Sequence, residues 1–283
     1  MRIAGLIILF HPSPSVLINI QSYLPLIDKL IVFDNTEIPD ALIHQQIQQL
    51  PNVILIHDYE NKGIAARLNA GAHMCINENF TWLLTMDQDS FFEESIFKEY
   101  LNCLAKFENS NSMAMAGVEY VRRTERNDCN YKAVKLLITS GSLVNLRLFQ
   151  TLGGFDEALF IDDVDTDYCF NAITKGYEII KFENIYLNHS LGNESYHTSL
   201  KSFRVTNRSL HSPLRLYYMV RNFLYINNKY VNSIILEEKQ NKKKDLLNRI
   251  KNNFLYGQNR LTLLRFLLKG YIDFKRKKMG KKL

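Results

Sequence analysis

No run of eighteen or more apolar residues occurs in the 283-residue chain, so no segment is expected to cross a bilayer as a helix. The apolar opening, Arg2 to Phe10, is too short for a secretory signal and lacks a small-residue cleavage site. Cysteine is scarce: Cys75, Cys103, Cys129 and Cys169 are scattered without close pairing. A zinc cluster needs tighter spacing and a disulfide framework an oxidising compartment, so the expectation is reduced, mostly buried thiols in the cytoplasm. There is no low-complexity linker and no internal repeat. What remains is an ordinary folded composition, 46% hydrophobic and 23% charged, long enough for one substantial core plus an appended element.

Charge is unevenly placed. Residues 237–283 hold 15 Lys/Arg against 4 Asp/Glu, while the other 236 residues hold 20 against 25. The net charge of +6 therefore belongs to the tail, and the body is mildly acidic. An acidic body argues against nucleic acid as a partner. A basic tail suits an anionic surface.

The N-terminal half alternates apolar runs with helical patterns. Ile3–Phe10, Leu30–Phe33, Val53–Ile56 and Trp82–Met86 read as strands, with helical spacing at Ser15–Leu24, Asp40–Leu50 and Gly63–Ile76. This predicts an α/β fold, a mainly parallel sheet flanked by helices, with ligands beyond the carboxyl ends of the strands. Those ends carry His11-Pro12, Asp34-Asn35 and Asp87-Gln88-Asp89-Ser90. Further on, Met113–Tyr120, Leu136–Val144 and Tyr177–Phe182 read as strands, with a polar loop around Arg122–Asn130. From about residue 213 the pattern is helical and basic, so a catalytic domain over 1–212 and a helical region over 213–283 are expected.

Two acidic groupings and one histidine carry chemistry. Asp87 and Asp89, two apart after an apolar strand, can both reach a hard divalent cation, Mg2+ or Mn2+, which would neutralise a departing diphosphate. An exposed acidic turn is the plainer alternative. Phe160-Ile-Asp-Asp-Val-Asp-Thr-Asp167 crowds four carboxylates into six residues without a Lys or Arg. Such crowding costs repulsion unless a cation or a proton-transfer role compensates. A base here could take the proton from an acceptor hydroxyl. The alternative is a solvated first helical turn, where acids favour the dipole. His189 matters only if the chain folds back toward Asp89.

Taken together, these segments resemble the family 2 glycosyltransferases of the GT-A fold, in the bacterial rhamnosyltransferase-like branch. The resemblance runs from about Gly5 to Asn222 and rests on ordered landmarks. They are His11-Pro12, Val32-Phe33-Asp34-Asn35-Thr36, Asn61-Lys-Gly-Ile-Ala-Ala-Arg-Leu-Asn69 and Met86-Asp-Gln-Asp-Ser90, followed by Thr139-Ser-Gly-Ser142 and Gly153-Gly-Phe-Asp-Glu157. The last are Phe160 to Cys169, His189-Ser-Leu-Gly192 and His211-Ser-Pro-Leu-Arg-Leu-Tyr-Tyr-Met-Val-Arg-Asn222.

The resemblance implies roles at matching positions. Asp34 would meet the nucleoside base, beside His11, Pro12 and Asn35. Asn61, Gly63, Arg67 and Asn69 would receive the nucleotide. Asp89 would be the principal metal ligand, with Asp87 near ribose or metal and His189 completing the coordination. Asp165 would be the catalytic base of an inverting displacement, with Asp162, Asp163, Arg215 and Arg221 on the acceptor side. Two positions depart from the family pattern: Val164 before Asp165, and Asn171 where an arginine is usual. The donor expected is dTDP-rhamnose and the acceptor a lipid-linked precursor of O-antigen, capsule or a similar polysaccharide. A galactofuranosyl- or other hexosyltransferase using a UDP-sugar is the alternative, and a non-catalytic sugar-nucleotide-binding protein is the third reading. A nucleotidyltransferase would carry a Gly- and Lys/Arg-rich loop where this chain has His11-Pro-Ser-Pro14.

In the tail, Ile250, Phe254, Leu261, Leu264, Leu268 and Ile272 recur at helical spacing amid Arg249, Lys251, Arg260, Arg265 and Lys269. Such a helix can lie on an anionic membrane face, here the inner face of the cytoplasmic membrane, or pack on the core instead.

Overall fold

The computed structural model describes residues 1–107, 111–120, 129–189, 194–198, 205–231 and 233–282, with only the backbone described for His189, 194–198, 205–209 and Ser233. These residues form two compact units, one of 1–160 with 164–190 and one of 161–163 with 191–283.

In the first unit, β1 (Ile3–Leu9), β2 (Lys29–Asp34), β3 (Val53–His57) and β4 (Trp82–Asp87) alternate with α1 (Ser15–Gln21), α2 (Ala41–Gln48) and α3 (Ile64–Asn77). β1 and β4 are buried along almost their whole length, as β-branched and aliphatic runs covered on both faces should be. Next come β5 (Ser90–Phe91), α4 (Glu94–Ala105), β6 (Met113–Glu119), β7 (Tyr131–Ala133) and β8 (Ser142–Asn145). The unit closes with α5 (Leu146–Leu152), α6 (Val164–Thr174), β9 (Glu178–Tyr186) and β10 (Asn188–His189). The large sheet has eight strands in the order β3-β2-β1-β4-β8-β6-β9-β7. Pairings are parallel from β3 to β4 and between β6 and β9, and antiparallel on both sides of β8 and at β7. The expected α/β class holds.

Two expectations change. The run Leu136–Val144 is a strand only from Ser142, because Gly141 sits at φ +71 and the preceding residues turn instead of pairing. The four thiols are not all free: Cys103 on α4 is bonded to Cys129, with Cα atoms 5.3 Å apart, while Cys75 and Cys169 are free and buried. The two partners are 26 residues apart, a non-local pairing that spacing does not reveal.

The second unit holds a hairpin of β11 (Glu194–Thr198) and β12 (Val205–Ser209), then α7 (Pro213–Lys229), α8 (Leu236–Tyr256) and α9 (Arg260–Lys275). Ser212 caps α7, its Oγ accepting from Arg215 N at 3.2 Å, and Pro213 opens the helix where its missing N–H costs nothing. Gly270 lets α9 reach α7: a Cβ there would stand 2.8 Å from Tyr217 O. The Tyr217 hydroxyl closes the contact, donating to Asp273 Oδ2 at 2.8 Å. Helix α7 starts at Pro213, whereas the second unit takes in 161–163 and everything from residue 191.

Beside α7, His211 Nε2 lies 2.6 Å from Arg249 Nη1. A guanidinium can only donate, so this nitrogen accepts and the ring is neutral. Burial first, then the charges of Arg249 and Arg215, push His211 down to about 4. Its proton is thus bound more weakly in the folded state than in the unfolded chain, where it titrates near 6.5. The stability tied to the neutral ring is whole above pH 6.5 and is lost as pH falls toward 4. Allowing for solvent screening, this loss is about 1–2 kcal/mol. Denaturant unfolding of wild type and His211→Gln across this window should show a shallower slope in the variant, and equal slopes would contradict the assignment.

Candidate active site

Strand register sets the site. In β1, Leu9 pairs with Asp34 and Ile8 with Asp87, while Asp34 pairs with His57 of β3. Three strand ends therefore present polar side chains at one edge of the sheet.

Asp34 is fully buried. Its Oδ1 accepts from Thr36 N at 2.8 Å, and its Oδ2 lies 2.7 Å from His44 Nε2 on α2. Thr36 is shared further: its Oγ1 accepts from His11 N at 2.8 Å, and its carbonyl accepts from His57 Nε2 at 2.7 Å. His11 itself is exposed, with a left-handed φ of 47. His44 and His57 pack edge to face at 5.1 Å, and Tyr59 packs on His57 at 4.3 Å. His44 was not legible as a site residue, since nothing in its helical spacing distinguishes it.

Asn35 joins this edge to the start of α3. Its Nδ2 donates to Gly63 O at 3.2 Å, and its Oδ1 accepts from Lys62 N at 3.3 Å and Arg67 Nε at 2.8 Å. Arg67 is 4% exposed and spends the rest of its fork on the Asp58 carboxylate and Glu60 O. The hydrogen bond from Arg67, then that from Lys62, holds the Asp58 carboxyl below the usual range despite its desolvation. Arg67 therefore braces the loop, where the sequence suggested a direct contact with base or phosphate. Asn61 Oδ1 accepts from Gly63 N at 2.9 Å. Gly63 stands at φ +82, and a Cβ there would meet the Phe160 ring at 2.4 Å. Asn69 also departs from its expected role. Its amide exchanges hydrogen bonds with the backbone of Phe155, at 2.9 and 2.8 Å, and so staples α3 to the Gly153-Gly154 turn.

At the end of β4, Asp87 N donates to Ser140 Oγ at 3.3 Å, and the Ser140 hydroxyl donates to Ser90 Oγ at 2.9 Å. Both serines are fully buried. Tyr120 donates to Ser140 O at 2.7 Å. Burial first, then the charges of Asp87 and Asp165, push its phenol well above its ordinary value. Asp87 closes β4, and Asp165 lies in the first turn of α6. Asp165 Oδ1 accepts from Thr166 N at 2.7 Å. On the other side of Asp89, β10 pairs antiparallel with β5 and sets His189 opposite Ser90. The His189 side chain, and the Ser190-Leu-Gly192 part of its motif, lie outside the described residues. Among the described residues no three metal-ligating side chains converge.

In the second unit, Arg215 reaches Asp162 Oδ1 with Nε at 3.3 Å and Nη2 at 3.2 Å, and Lys242 pairs with Asp163 at 2.5 Å. Asp162 Oδ2 is buried without a hydrogen-bond partner. Burial raises the Asp162 carboxyl against the pull of Arg215. Arg221, expected on the acceptor side, is fully buried, its Nη1 donating to Gly280 O at 2.7 Å.

A mainly parallel sheet of this order, flanked by helices, is the fold of the GT-A glycosyltransferases among the solved structures it resembles. Residues 16–136 match the model of glycosyl transferase family 2. The chain is 28% identical to the dTDP-rhamnosyl transferase RfbF of Shigella flexneri, over 71% of this chain and 72% of the relative. These two matches support a family 2, rhamnosyltransferase-like glycosyltransferase. Among solved structures, S. aureus TarS superposes with a TM-score of 0.58 at 14% identity, covering 98% of this chain and 49% of that one. The chain thus spans about half the length of that protein. GalNAc-T7, solved with UDP, GalNAc and Mn2+, gives a TM-score of 0.63 at 9% identity, covering 98% of this chain and 56% of that one. At these identities the likeness speaks for the fold.

Proposed function

We propose that this glycosyltransferase is metal-dependent and inverting, and moves rhamnose from dTDP-rhamnose to a lipid-linked precursor of a cell-surface polysaccharide. The observation that carries the catalytic part is the register that ends Asp34 and Asp87 on the carboxyl edge of the parallel strands, with Asp165 in the first turn of α6. The similarity to a dTDP-rhamnosyl transferase supports the donor.

Asp165 takes the proton from an acceptor hydroxyl as that oxygen attacks the anomeric carbon. The bond from that carbon to the diphosphate oxygen breaks on the opposite face, so the configuration inverts and dTDP leaves. His11, Pro12, Asp34 and Asn35 hold the base end of the donor, with Asn61 and Gly63 along the nucleotide and Arg67 bracing their loop. Asp162, Asp163 and Arg215 face the acceptor. Asp87 and Asp89 are hard oxygen donors at a strand end and fit Mg2+ or Mn2+, with His189 as the third ligand. Such a cation, when bound, supplies charge neutralisation for the leaving diphosphate. GalNAc-T7 was solved with Mn2+, which accords with that fit.

The enzyme works at the inner face of the cytoplasmic membrane. Leu261, Leu264, Leu268 and Ile272 form an exposed stripe along α9, flanked by Arg260, Arg265 and Lys269. No helix among the described residues is long and apolar enough to cross a membrane. An interfacial helix therefore suits this stripe, with each nearby cation adding about 1 kcal/mol on an anionic surface.

Two measurements test the reading. Among nucleotide sugars with Mn2+, dTDP-rhamnose should raise the melting temperature most, and Asp165→Asn should keep that shift while turnover falls roughly 10²–10⁴-fold. A UDP-hexose preference would overturn the sugar, full turnover in excess chelator would overturn the metal, and damage from Asp163→Asn alone would move the base. For location, Leu261, Leu264 and Leu268 changed together to Ser should abolish sedimentation with anionic vesicles, and unchanged binding would exclude the stripe.

A further inference from the structure

The Arg221-Asn222 pair ends a segment singled out in the sequence, yet neither residue reaches solvent. Asn222 Nδ2 donates to the carbonyls of Ile161 at 2.7 Å and Asp162 at 3.0 Å. Its Oδ1 accepts a two-pronged contact from Arg221, Nε at 3.1 Å and Nη2 at 3.0 Å. Arg221 is fixed in turn. Its Nη1 donates to Gly280 O at 2.7 Å and lies 3.4 Å from the Tyr217 hydroxyl, and its guanidinium sits 5.0 Å from the Tyr218 ring. Tyr217 continues to Asp273, which Lys269 pairs at 2.6 Å. A buried polar chain therefore runs from the C-terminal residues through Arg221 and Asn222 to two carbonyls of the acidic segment.

Those carbonyls belong to an unusual stretch of backbone. Asp162 has φ 60 and Asp163 φ 63, left-handed values that residues with a Cβ hold only when their surroundings over-determine them. The carboxylates are pinned as well, Asp162 by Arg215 and Asp163 by Lys242. One carboxylate oxygen, Asp162 Oδ2, stays buried and unpartnered. A backbone held left-handed with a polar atom unspent is built for presentation to a ligand more than for packing. Asp165 follows two residues after Asp163 in the chain.

We infer that Asn222, oriented by Arg221, is a positioning residue that holds residues 161–163 in their left-handed course and so sets the acidic segment for the acceptor. This rests on the glycosyltransferase reading above. It assigns the helical region a part in turnover beyond any contact with a membrane.

The test uses the full-length protein. Asn222→Asp keeps the shape and gives Arg221 a carboxylate to bind, while it removes both N–H donors to the segment. Arg221→Lys keeps the charge but loses the fork. Both should fold, with the donor-induced thermal shift and donor KM within about two-fold of wild type. In Asn222→Asp, kcat for transfer should fall about 100-fold, the scale of a misplacement near 1 Å, with a smaller fall in Arg221→Lys. Wild-type kcat in folded variants would overturn the inference. So would a kcat loss matched by equal loss of donor binding, or failure of both variants to fold, since the network would then serve stability alone. A wild-type protein that transfers no sugar from any nucleotide sugar would instead sink the functional reading on which the inference stands.

Discussion

The parallel register of β1 between β2 and β4 is the constraint on which the rest depends. Because Leu9 pairs with Asp34 and Ile8 with Asp87, two carboxylates end on neighbouring levels of one sheet edge. A one-residue slip would turn each strand's side chains to the opposite face, so the buried aliphatic pattern of β1, β2 and β4 fixes the register and the chemistry together. The loops that finish the edge are then tied with buried polar contacts. Asn35 grips the start of α3, and Ser140 grips Asp87 and Ser90. Each such contact stabilises modestly when made and is costly when broken, which keeps the edge in one arrangement.

Holding like charges near one another requires the same care. In the first unit the Asp58–Arg67 pair braces the loop that leads into α3. The second unit answers Asp162 and Asp163 with Arg215 and Lys242. The basic helices that looked like a tail in the sequence thus include charges committed to the acidic segment, and only part of their surplus is left for a surface.

Much of the edge was legible in the sequence because it is local. Short apolar runs ending in His11, Asp34 and Asp87 show the strands and the polar residues that finish them, and strand alternation predicts where ligands gather. What was not legible is non-local. Arg67 and Asn69 lie in the Asn61–Asn69 motif that suggests nucleotide contact, but their partners, Asp58 and the Phe155 backbone, are fixed only by tertiary packing. Arg221, expected on the acceptor side, is buried, with partners that include Gly280 and Tyr217. The pairing of Cys103 with Cys129 needs the chain to return to α4 after β6. His44 carries no motif at all and is recognisable only through its contact with Asp34.

The central claim is that the carboxyl edge of the parallel strands receives a nucleotide sugar. Amide hydrogen exchange with and without dTDP-rhamnose and Mn2+ addresses it directly. The account predicts slowed exchange at residues 34–36, 61–67 and 86–90, with the opposite ends of β1, β2 and β4 unchanged. Protection confined to other surfaces, or none at saturating donor, would contradict it.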